Sequence, residues 1–375
     1  MKKIEMVDLK TQYAAIKQEV DNGIMEVLNN AAFINGKQVG DFAEHLGQYL
    51  GVKHVIPCAN GTDALQIALM GLGLQPGDEV ITPSFTYIAT CEVLALLGLT
   101  PVFVDVYPDS FTINPNEIEK AITSKTKAIV PVHLYGQSAD MDAVMEIAKK
   151  HNLFVIEDNA QAIGGSYTGA DGIKKANGTM GDIGCTSFFP SKNLGCYGDG
   201  GAMYTNNDEL ANKLRMVANH GQRVRYYHDM VGVNSRLDTI QAVILNAKLK
   251  HLDQYCSNRR SVADAYDKAF ANHPKIKTPA RASYSYHVYH QYTLVIEGDR
   301  NGLQTFLADN NIPSMIYYPV PAHRQKAFEG KGKIVGDLYH TDWLTDRVIS
   351  LPIHTEMEAD QQAFIIEKVL EFMNK

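Results

Sequence analysis

The chain has 375 residues, of which 45% are hydrophobic and 21% charged, and its formal net charge is −7. That make-up suits a globular protein with one large and one smaller folded unit. It offers no basic field to hold nucleic acid or an anionic membrane.

Five cysteines (Cys58, Cys91, Cys185, Cys196, Cys256) are odd in number, widely spaced and without metal-ligand spacing. They read as reduced structural thiols of a cytoplasmic protein, with no metal site. Residues 1–8 lack the apolar run of a signal peptide. The greasiest stretch, Val93–Val106, is interrupted by Gly98 and Pro101 and is too short to span a bilayer.

Taken in chain order, Ile16–Leu28 and Val39–Leu50 carry apolar residues at helical spacing, with a turn at Phe33–Gly36 between them. From residue 54 short apolar strands alternate with helices. His54–Cys58 precedes a helix over Thr62–Leu72, and Glu79–Thr82 one from about Tyr87 to Leu97. Val102–Val106 precedes Pro115–Ile122, Ala128–Val132 precedes Met141–His151, and Phe154–Asp158 follows. Strands so uniformly apolar predict a mostly parallel sheet covered on both faces.

Asp182–Phe189 and Gly201–Thr205 add two strands, the second antiparallel after a tight glycine turn. Asp208–His220 reads as a helix with Asp208 as its N-cap. Gln222–Asn234 is a polar, aromatic, irregular stretch, a long loop of the kind compact domains keep for function. A helix pattern then runs from Ser235 to about Phe270. A domain boundary is placed within it, near residue 250, between a large domain (1–250) and a smaller C-terminal α/β domain (251–375). The latter has strands at Tyr289–Ile296 and Met315–Tyr317 and helices at Leu303–Asn310 and Asp360–Met373.

In open α/β sheets ligands bind beyond the carboxyl ends of the strands, so the polar residues there are the candidates. After the first strand, Gly61-Thr62-Asp63 opens a helix. Its free N–H groups and the Thr62 hydroxyl make a phosphate seat, or simply a cap. After the second, Pro83-Ser84-Phe85-Thr86-Tyr87 offers an aromatic to stack on a flat heterocycle or to pack on the next helix. The fifth strand delivers Asp158. A carboxylate leaving so apolar a strand needs a cation, either a protonated pyridine nitrogen or an Arg or Lys from elsewhere in the fold.

Lys192 follows an apolar strand and Pro190 on a loop rich in glycine. Gly195, Gly198, Gly200 and Gly201 allow positive φ and let the backbone pass close to something bulky. Desolvation of such a lysine favours the neutral amine, a nucleophile towards carbonyls. Together these parts fit pyridoxal 5′-phosphate. Lys192 suits the aldehyde, Asp158 the ring nitrogen, Tyr87 the ring face, and Gly61-Thr62-Asp63 with Ser187 the phosphate. A dinucleotide-dependent dehydrogenase is disfavoured, since no G-x-G-x-x-G follows the first strand.

Six ordered motifs, GTDAL, TPSFTYIAT, PVHLYGQSADM, VIEDNAQAIGGSY, TSFFPSKNLGCYGDGGA and GVNSRLDTIQAVIL, span essentially the whole chain. They resemble those of the nucleotide-sugar aminotransferases of the DegT, DnrJ and StrS family. The resemblance implies a fold-type I pyridoxal-phosphate aminotransferase, in which a large domain with a mixed, mostly parallel sheet is joined to a smaller α/β domain. It further implies a homodimer with two active sites at the subunit interface. In that family Lys192 would link covalently to the cofactor aldehyde, Asp158 would meet the ring nitrogen, and Gln161 would touch the ring hydroxyl. Tyr87 would stack on the ring, Asn234 would bind the neighbouring subunit's phosphate, and Arg236 would lie near that subunit's substrate. The lysine also separates the chain from the family's dehydratase branch, which carries histidine there.

The segments His290-Gln291-Tyr292-Thr293 and Ile316–His323 resemble the family's sugar-side wall. Tyr318 and His323 are therefore substrate candidates, while Tyr292 fits a core position equally well. The reaction implied is transamination of a nucleotide-linked keto-sugar (UDP- or dTDP-linked) with L-glutamate as donor and 2-oxoglutarate as product. It would serve amino-sugar biosynthesis for surface polysaccharide, such as lipopolysaccharide O-antigen. The same segments look most similar to members that aminate C3 of a 3-oxo sugar, but Tyr317 stands where some relatives carry histidine, which leaves a 4-oxo sugar open. The same fold would also accommodate a different pyridoxal-phosphate chemistry or a catalytically silent cofactor-binding regulator.

Overall fold

The computed structural model describes residues 2–375. Helix α1 (Leu9–Asn29) opens on Asp8, whose carboxylate accepts the Thr11 N–H at 2.9 Å. Helix α2 (Lys37–Leu50) buries Phe42, Leu46 and Leu50 on one face and stops at Gly51, whose φ of 70° suits glycine. The alternating part follows as β1 (His54–Cys58), α3 (Gly61–Gly71), β2 (Glu79–Pro83), α4 (Ala89–Leu96), β3 (Thr100–Val104), β4 (Thr126–Ile129) and β5 (Phe154–Asp158).

With Ile183–Ser187, Gly201–Thr205 and Lys333–Ile334, these strands form one eight-stranded sheet. Its order is β1, 201–205, 183–187, β5, β4, β2, β3, 333–334. Gly201–Thr205 runs antiparallel to both its neighbours, and the other pairings are parallel.

Successive strand residues point to opposite faces, and the core follows that alternation. Ile56, Val80, Ile156 and Met203 pack on one side with Leu65 and Leu69 of α3 and Leu214 of the helix Asp208–Ala218. Their neighbours turn the other way. Ile81 and Val155 meet Met141 and Val144 of the helix Met141–His151, and Val55, Ala202 and Tyr204 meet Phe42 and Leu46 of α2. Both faces are thereby covered.

A separate apolar cluster lies in the C-terminal part, around Tyr266, Phe270, Tyr292, Leu294, Leu303, Ile349 and Ile365. The helical stretch after Ser235 is two helices, Thr239–Leu249 and Leu252–Phe270, interrupted at Lys250–His251. We propose a domain division at that break. Two segments cross it: Ile4 joins the C-terminal cluster, and Lys333–Ile334 pairs with β3 of the large sheet.

Several local expectations are corrected. Asn207, not Asp208, caps the following helix, accepting the Leu210 N–H at 3.0 Å, because Asp208 is drawn to Lys53 and His54, each at 2.6 Å. The stretch 222–234 contains a small exposed hairpin, Gln222–Val224 with Tyr227–His228. Met315–Tyr317 is not a strand; Met315 makes only an isolated bridge to Ser350. The strand over 289–296 begins at Tyr292, which is core, with its hydroxyl on Asp267 at 2.7 Å. A thirteen-residue excursion, 188–200, replaces a tight turn before Gly201. All five cysteines are buried and unpaired. Among the described residues no helix is long and apolar enough to cross a membrane, and no group of three His, Cys, Asp or Glu is placed to hold a metal.

Candidate active site

The carboxyl ends of β1, β2, β5 and Ile183–Ser187 open onto one cleft of about 800 Å³, closed from the C-terminal side by residues 290–291 and 315–318. Gly61, Thr62, Asp63, Tyr87, Asp158, Gln161, Ser187, Lys192 and Tyr318 all line it. The sheet alone explains much of this convergence, since parallel strands place their ends at one edge.

Asp158 is the last residue of β5 and is buried. Its carboxylate accepts the Thr90 hydroxyl at 2.7 Å and the Ala160 N–H at 3.1 Å. Among the described residues no Arg or Lys lies within ion-pair distance of it, so an ordinary salt bridge does not account for its burial. Thr90, in the first turn of α4, was not singled out from sequence. Nothing in TYIAT marks that threonine until the fold lays α4 beside β5.

Lys192 sits in the cleft wall on an irregular turn, its N–H bonded to the Phe189 carbonyl at 2.8 Å. Burial pushes its amine down to about 8, against the opposing pull of the Asp158 charge. Of the two uses expected for the loop glycines, close approach is the one observed. None of Gly195, Gly198, Gly200 and Gly201 has positive φ. They are glycine because other atoms occupy the space of a side chain. A Cβ at Gly195 would lie 2.4 Å from the Pro190 carbonyl oxygen, and one at Gly201 2.4 Å from the Asn60 peptide.

At the start of α3 the N–H groups of Gly61 and Thr62 and the Thr62 hydroxyl find no partner among the described residues, whereas Asn60 Oδ1 already accepts the Asp63 N–H at 2.8 Å. The Asp63 carboxylate is turned to Ser235, whose hydroxyl it accepts at 2.6 Å. Asp63 therefore shapes the seat without leaving a free donor. Ser187 closes the other side; a Cβ on Gly61 would come within 2.7 Å of the Ser187 Cβ.

Tyr87 is 55% exposed and faces Tyr318, with ring centroids 6.1 Å apart. Gln161 joins two walls. Its Oε1 accepts the Tyr135 N–H at 2.8 Å and its Nε2 donates to the Tyr318 hydroxyl at 3.0 Å, leaving one amide proton over.

Three predicted site residues are not brought into this cleft. Asn234 is exposed, Arg236 is half-buried and makes no ion pair, and both lie on the stretch leading into the helix Thr239–Leu249. His323 is held behind β2. Ser84 Oγ accepts the backbone N–H of His323 at 3.2 Å and shares a second hydrogen bond with its Nδ1 at 2.7 Å. That shared hydroxyl tethers the C-terminal part next to β2, and His323 does not line the cleft. His290 and Thr86, each within a segment expected near the site but not singled out in it, also line the cleft. His290 Nδ1 and Thr86 Oγ1 are buried without partners.

Pyridoxal phosphate fits what the chain itself leaves open. A buried carboxylate without an ion-pair partner and a lysine that gives up its proton more readily than usual line one cleft, and a helix start with two free N–H groups stands beside a serine. Polar atoms without partners complete the wall.

Comparison with known proteins agrees. A model of the DegT/DnrJ/EryC1/StrS aminotransferase family matches residues 14–370. A Pseudomonas aeruginosa protein named UDP-2-acetamido-2-deoxy-3-oxo-D-glucuronate aminotransferase is 47% identical over 357 residues, 95% of this chain and 96% of that protein. A Geobacillus stearothermophilus protein named pleiotropic regulatory protein is 45% identical over 371 residues, 98% of each. Among solved structures, a DegT DnrJ EryC1 StrS aminotransferase from Brucella abortus matches with a TM-score of 0.95 at 41% identity, covering 99% of this chain and 100% of that one.

Proposed function

The chain belongs to the DegT/DnrJ/EryC1/StrS aminotransferase family, and on that premise we propose that it transfers an amino group from L-glutamate to a nucleotide-linked 3-oxo sugar. The family's cofactor is pyridoxal 5′-phosphate. One observation carries the assignment of its site: a single cleft brings together the Lys192 amine, the unpaired Asp158 carboxylate and the open start of α3.

We assign Lys192 to the cofactor aldehyde, Asp158 to its ring nitrogen, Tyr87 to its ring face, and Gly61, Thr62 and Ser187 to its phosphate. Gln161, through its spare amide proton, would reach the ring hydroxyl. When bound, the cofactor supplies a cationic ring that draws off the electron pair left when a proton leaves carbon.

The remaining work falls to the chain. Asp158, fixed by Thr90 and by the Ala160 N–H, holds a negative charge where the ring nitrogen must stay protonated. Lys192 Nζ, with its neutral form favoured by burial, takes the proton from the donor's α-carbon and returns one to the sugar carbon that gains nitrogen. Tyr87 and Tyr318, their ring centroids 6.1 Å apart, line the cleft side by side. Tyr318 is our candidate for contact with the hexose.

Asn234, exposed, and Arg236, half-buried, both outside this cleft, suit a second copy of the chain. We infer a homodimer in which each copy contributes them to its partner's site, Asn234 to phosphate and Arg236 to substrate. Carbon-3 specificity is favoured by the name of the Pseudomonas relative. A cytoplasmic role in making amino sugars for surface polysaccharide completes the reading.

The test is a panel of 3-oxo and 4-oxo UDP- and dTDP-sugars incubated with glutamate, with products read by mass. A 3-amino product that disappears in Lys192→Ala is expected. A product aminated only at C4 would overturn the regiochemistry. No amino-group transfer from a cofactor-loaded protein would favour the regulator that the Geobacillus relative's name suggests.

A further inference from the structure

His290 stands just before the strand Tyr292–Ile296, lines the cleft and is only 6% exposed. Its Nδ1 is buried with no partner, and among the described residues its ring makes no hydrogen bond. Two tethers fix where it stands. Asn193, next to Lys192, donates Nδ2 to the Val288 carbonyl at 2.9 Å. Arg259, buried on the helix Leu252–Phe270, donates Nη1 to the carbonyls of Tyr289 (3.1 Å), His290 (3.3 Å) and Ile353 (3.0 Å). The lysine loop and the His290 segment are thus locked to each other, and the segment is clamped again from behind.

A lysine that moves protons must at times be an ammonium free of any covalent bond. In a buried cleft an ammonium without acceptors is costly. The Asp158 oxygens are engaged by Thr90 and Ala160 and, in the reading above, face the ring nitrogen. Among the described residues that line the cleft, the fully buried side-chain acceptors without a partner are Thr86 Oγ1 and His290 Nδ1. Asp199 and the Thr62 hydroxyl also line it, Asp199 exposed to solvent and Thr62 at the phosphate seat. Of the two buried acceptors a neutral imidazole nitrogen is the more basic.

We propose that His290 is a positioning residue for Lys192, accepting a hydrogen bond from its ammonium and holding it against the cleft wall whenever the amine is free and protonated.

The surrounding charges support an available lone pair. Burial, with the positive charges of Lys192 and Arg259, holds His290 well below the ordinary imidazole range, so its nitrogen stays unprotonated. His354, on the far side of Arg259, is likewise pushed down to about 4 by burial and adds no charge. Asp158 is the one carboxylate that acts on Lys192.

The inference rests on the reading of Lys192 as the cofactor-linking residue, and the test separates the two. In the full-length protein freed of cofactor, Lys192 is labelled with acetic anhydride across a pH series, with mass spectrometry of the peptides and exposed Lys3 as the internal standard. His290→Leu removes the acceptor. The Lys192 midpoint is then expected to fall by about one pH unit, which is about tenfold faster labelling at a fixed pH on the acid side. His290→Asn, which restores an acceptor oxygen, is expected to recover most of the difference. An unchanged profile in His290→Leu would overturn the proposal. So would a shift that His290→Asn fails to reverse, since that signals packing alone. Borohydride trapping of the cofactor on Lys192 in the parent protein tests the underlying reading separately.

Discussion

Gly201→Ala tests whether the phosphate seat depends on a backbone approach that leaves no room for one methyl group. A Cβ at Gly201 would stand 2.4 Å from both the carbonyl carbon and oxygen of Asn60 and 2.8 Å from the Gly61 nitrogen. Ordinary contact begins at 3.4 Å, so the Asn60–Gly61 peptide or the strand Gly201–Thr205 must move by about 1 Å (3.4 minus 2.4). Both are backbone, and neither yields cheaply. Overpacking of this kind costs about 1–3 kcal/mol of stability. The peptide that moves carries one of the two free N–H groups at the start of α3. Loss of one charge-assisted hydrogen bond, about 1.5–3 kcal/mol, weakens cofactor binding by about ten- to a hundredfold. The assay is fluorescence titration of the cofactor-free protein with pyridoxal phosphate, alongside a thermal melt. Gly73→Ala is the control. Gly73 has a φ of 75° and open space around it, so alanine there brings about 1–2 kcal/mol of backbone strain far from the seat. Its melt should fall while its cofactor affinity stays at the parent value. If Gly201→Ala binds cofactor like the parent, or if Gly73→Ala loses affinity equally, the seat is not built by this contact.

Two further outcomes are expected. Because the Lys192 amine is pushed down to about 8 from its usual 10.5, both folded and unfolded chains carry its proton below pH 8, and the fold bears the full desolvation cost there. Between pH 8 and 10.5 the unfolded chain binds more protons, so the cost fades as pH rises. At 1.36 kcal/mol per pH unit the ceiling is about 3 kcal/mol, and the cleft's access to water reduces it to about 1–3. Urea unfolding of the cofactor-free protein should therefore find Lys192→Met more stable than the parent at pH 7, with the gap shrinking towards pH 10; a pH-independent gap would contradict it. Glu157→Gln should lower stability by about 3–5 kcal/mol, because the buried carboxylate accepts four donors and an amide nitrogen in its place would face N–H groups. A melt within 2 °C of the parent would refute that.

Much of the frame was legible because strands and helices announce themselves by period. The run from His54 to Asp158 alternates apolar fives with amphipathic stretches, and the sheet followed. Asp158 and Lys192 could be named because each stands where an apolar strand gives out into polar residues at a sheet edge. What escaped depended on atoms from distant segments. Asn207 and Asp208 are equally good caps by type, and only Lys53 and His54 decide between them. Nothing in the residue types at 250–251 forecasts a helix break. A glycine loop signals that side chains are excluded, yet whether by φ or by a neighbour's backbone appears only once Asn60 and Pro190 are in place. Thr90 with Asp158, Asn193 with Val288, and His323 with Ser84 join residues 68, 95 and 239 positions apart, distances at which local pattern carries nothing.

Glu157 and Asp158 show how one strand end separates structure from chemistry. They are adjacent, both buried, and by residue type nearly interchangeable. The strand's alternation sends them to opposite sides. Glu157 is saturated: the N–H groups of Gly178, Met180 and Gly181 and the His133 Nε2 proton, fixed there because His133 Nδ1 accepts the Ala139 N–H, use its oxygens. Such a carboxylate pins the 178–181 turn behind the sheet and has little capacity left for a ligand. Asp158 receives two hydrogen bonds, no cation among the described residues, and opens on the cleft. Its remaining charge is what a ring nitrogen could meet, and the same incompleteness marks the Lys192 amine and the start of α3. The functional member of an adjacent pair is the one whose hydrogen-bonding capacity the fold leaves unspent.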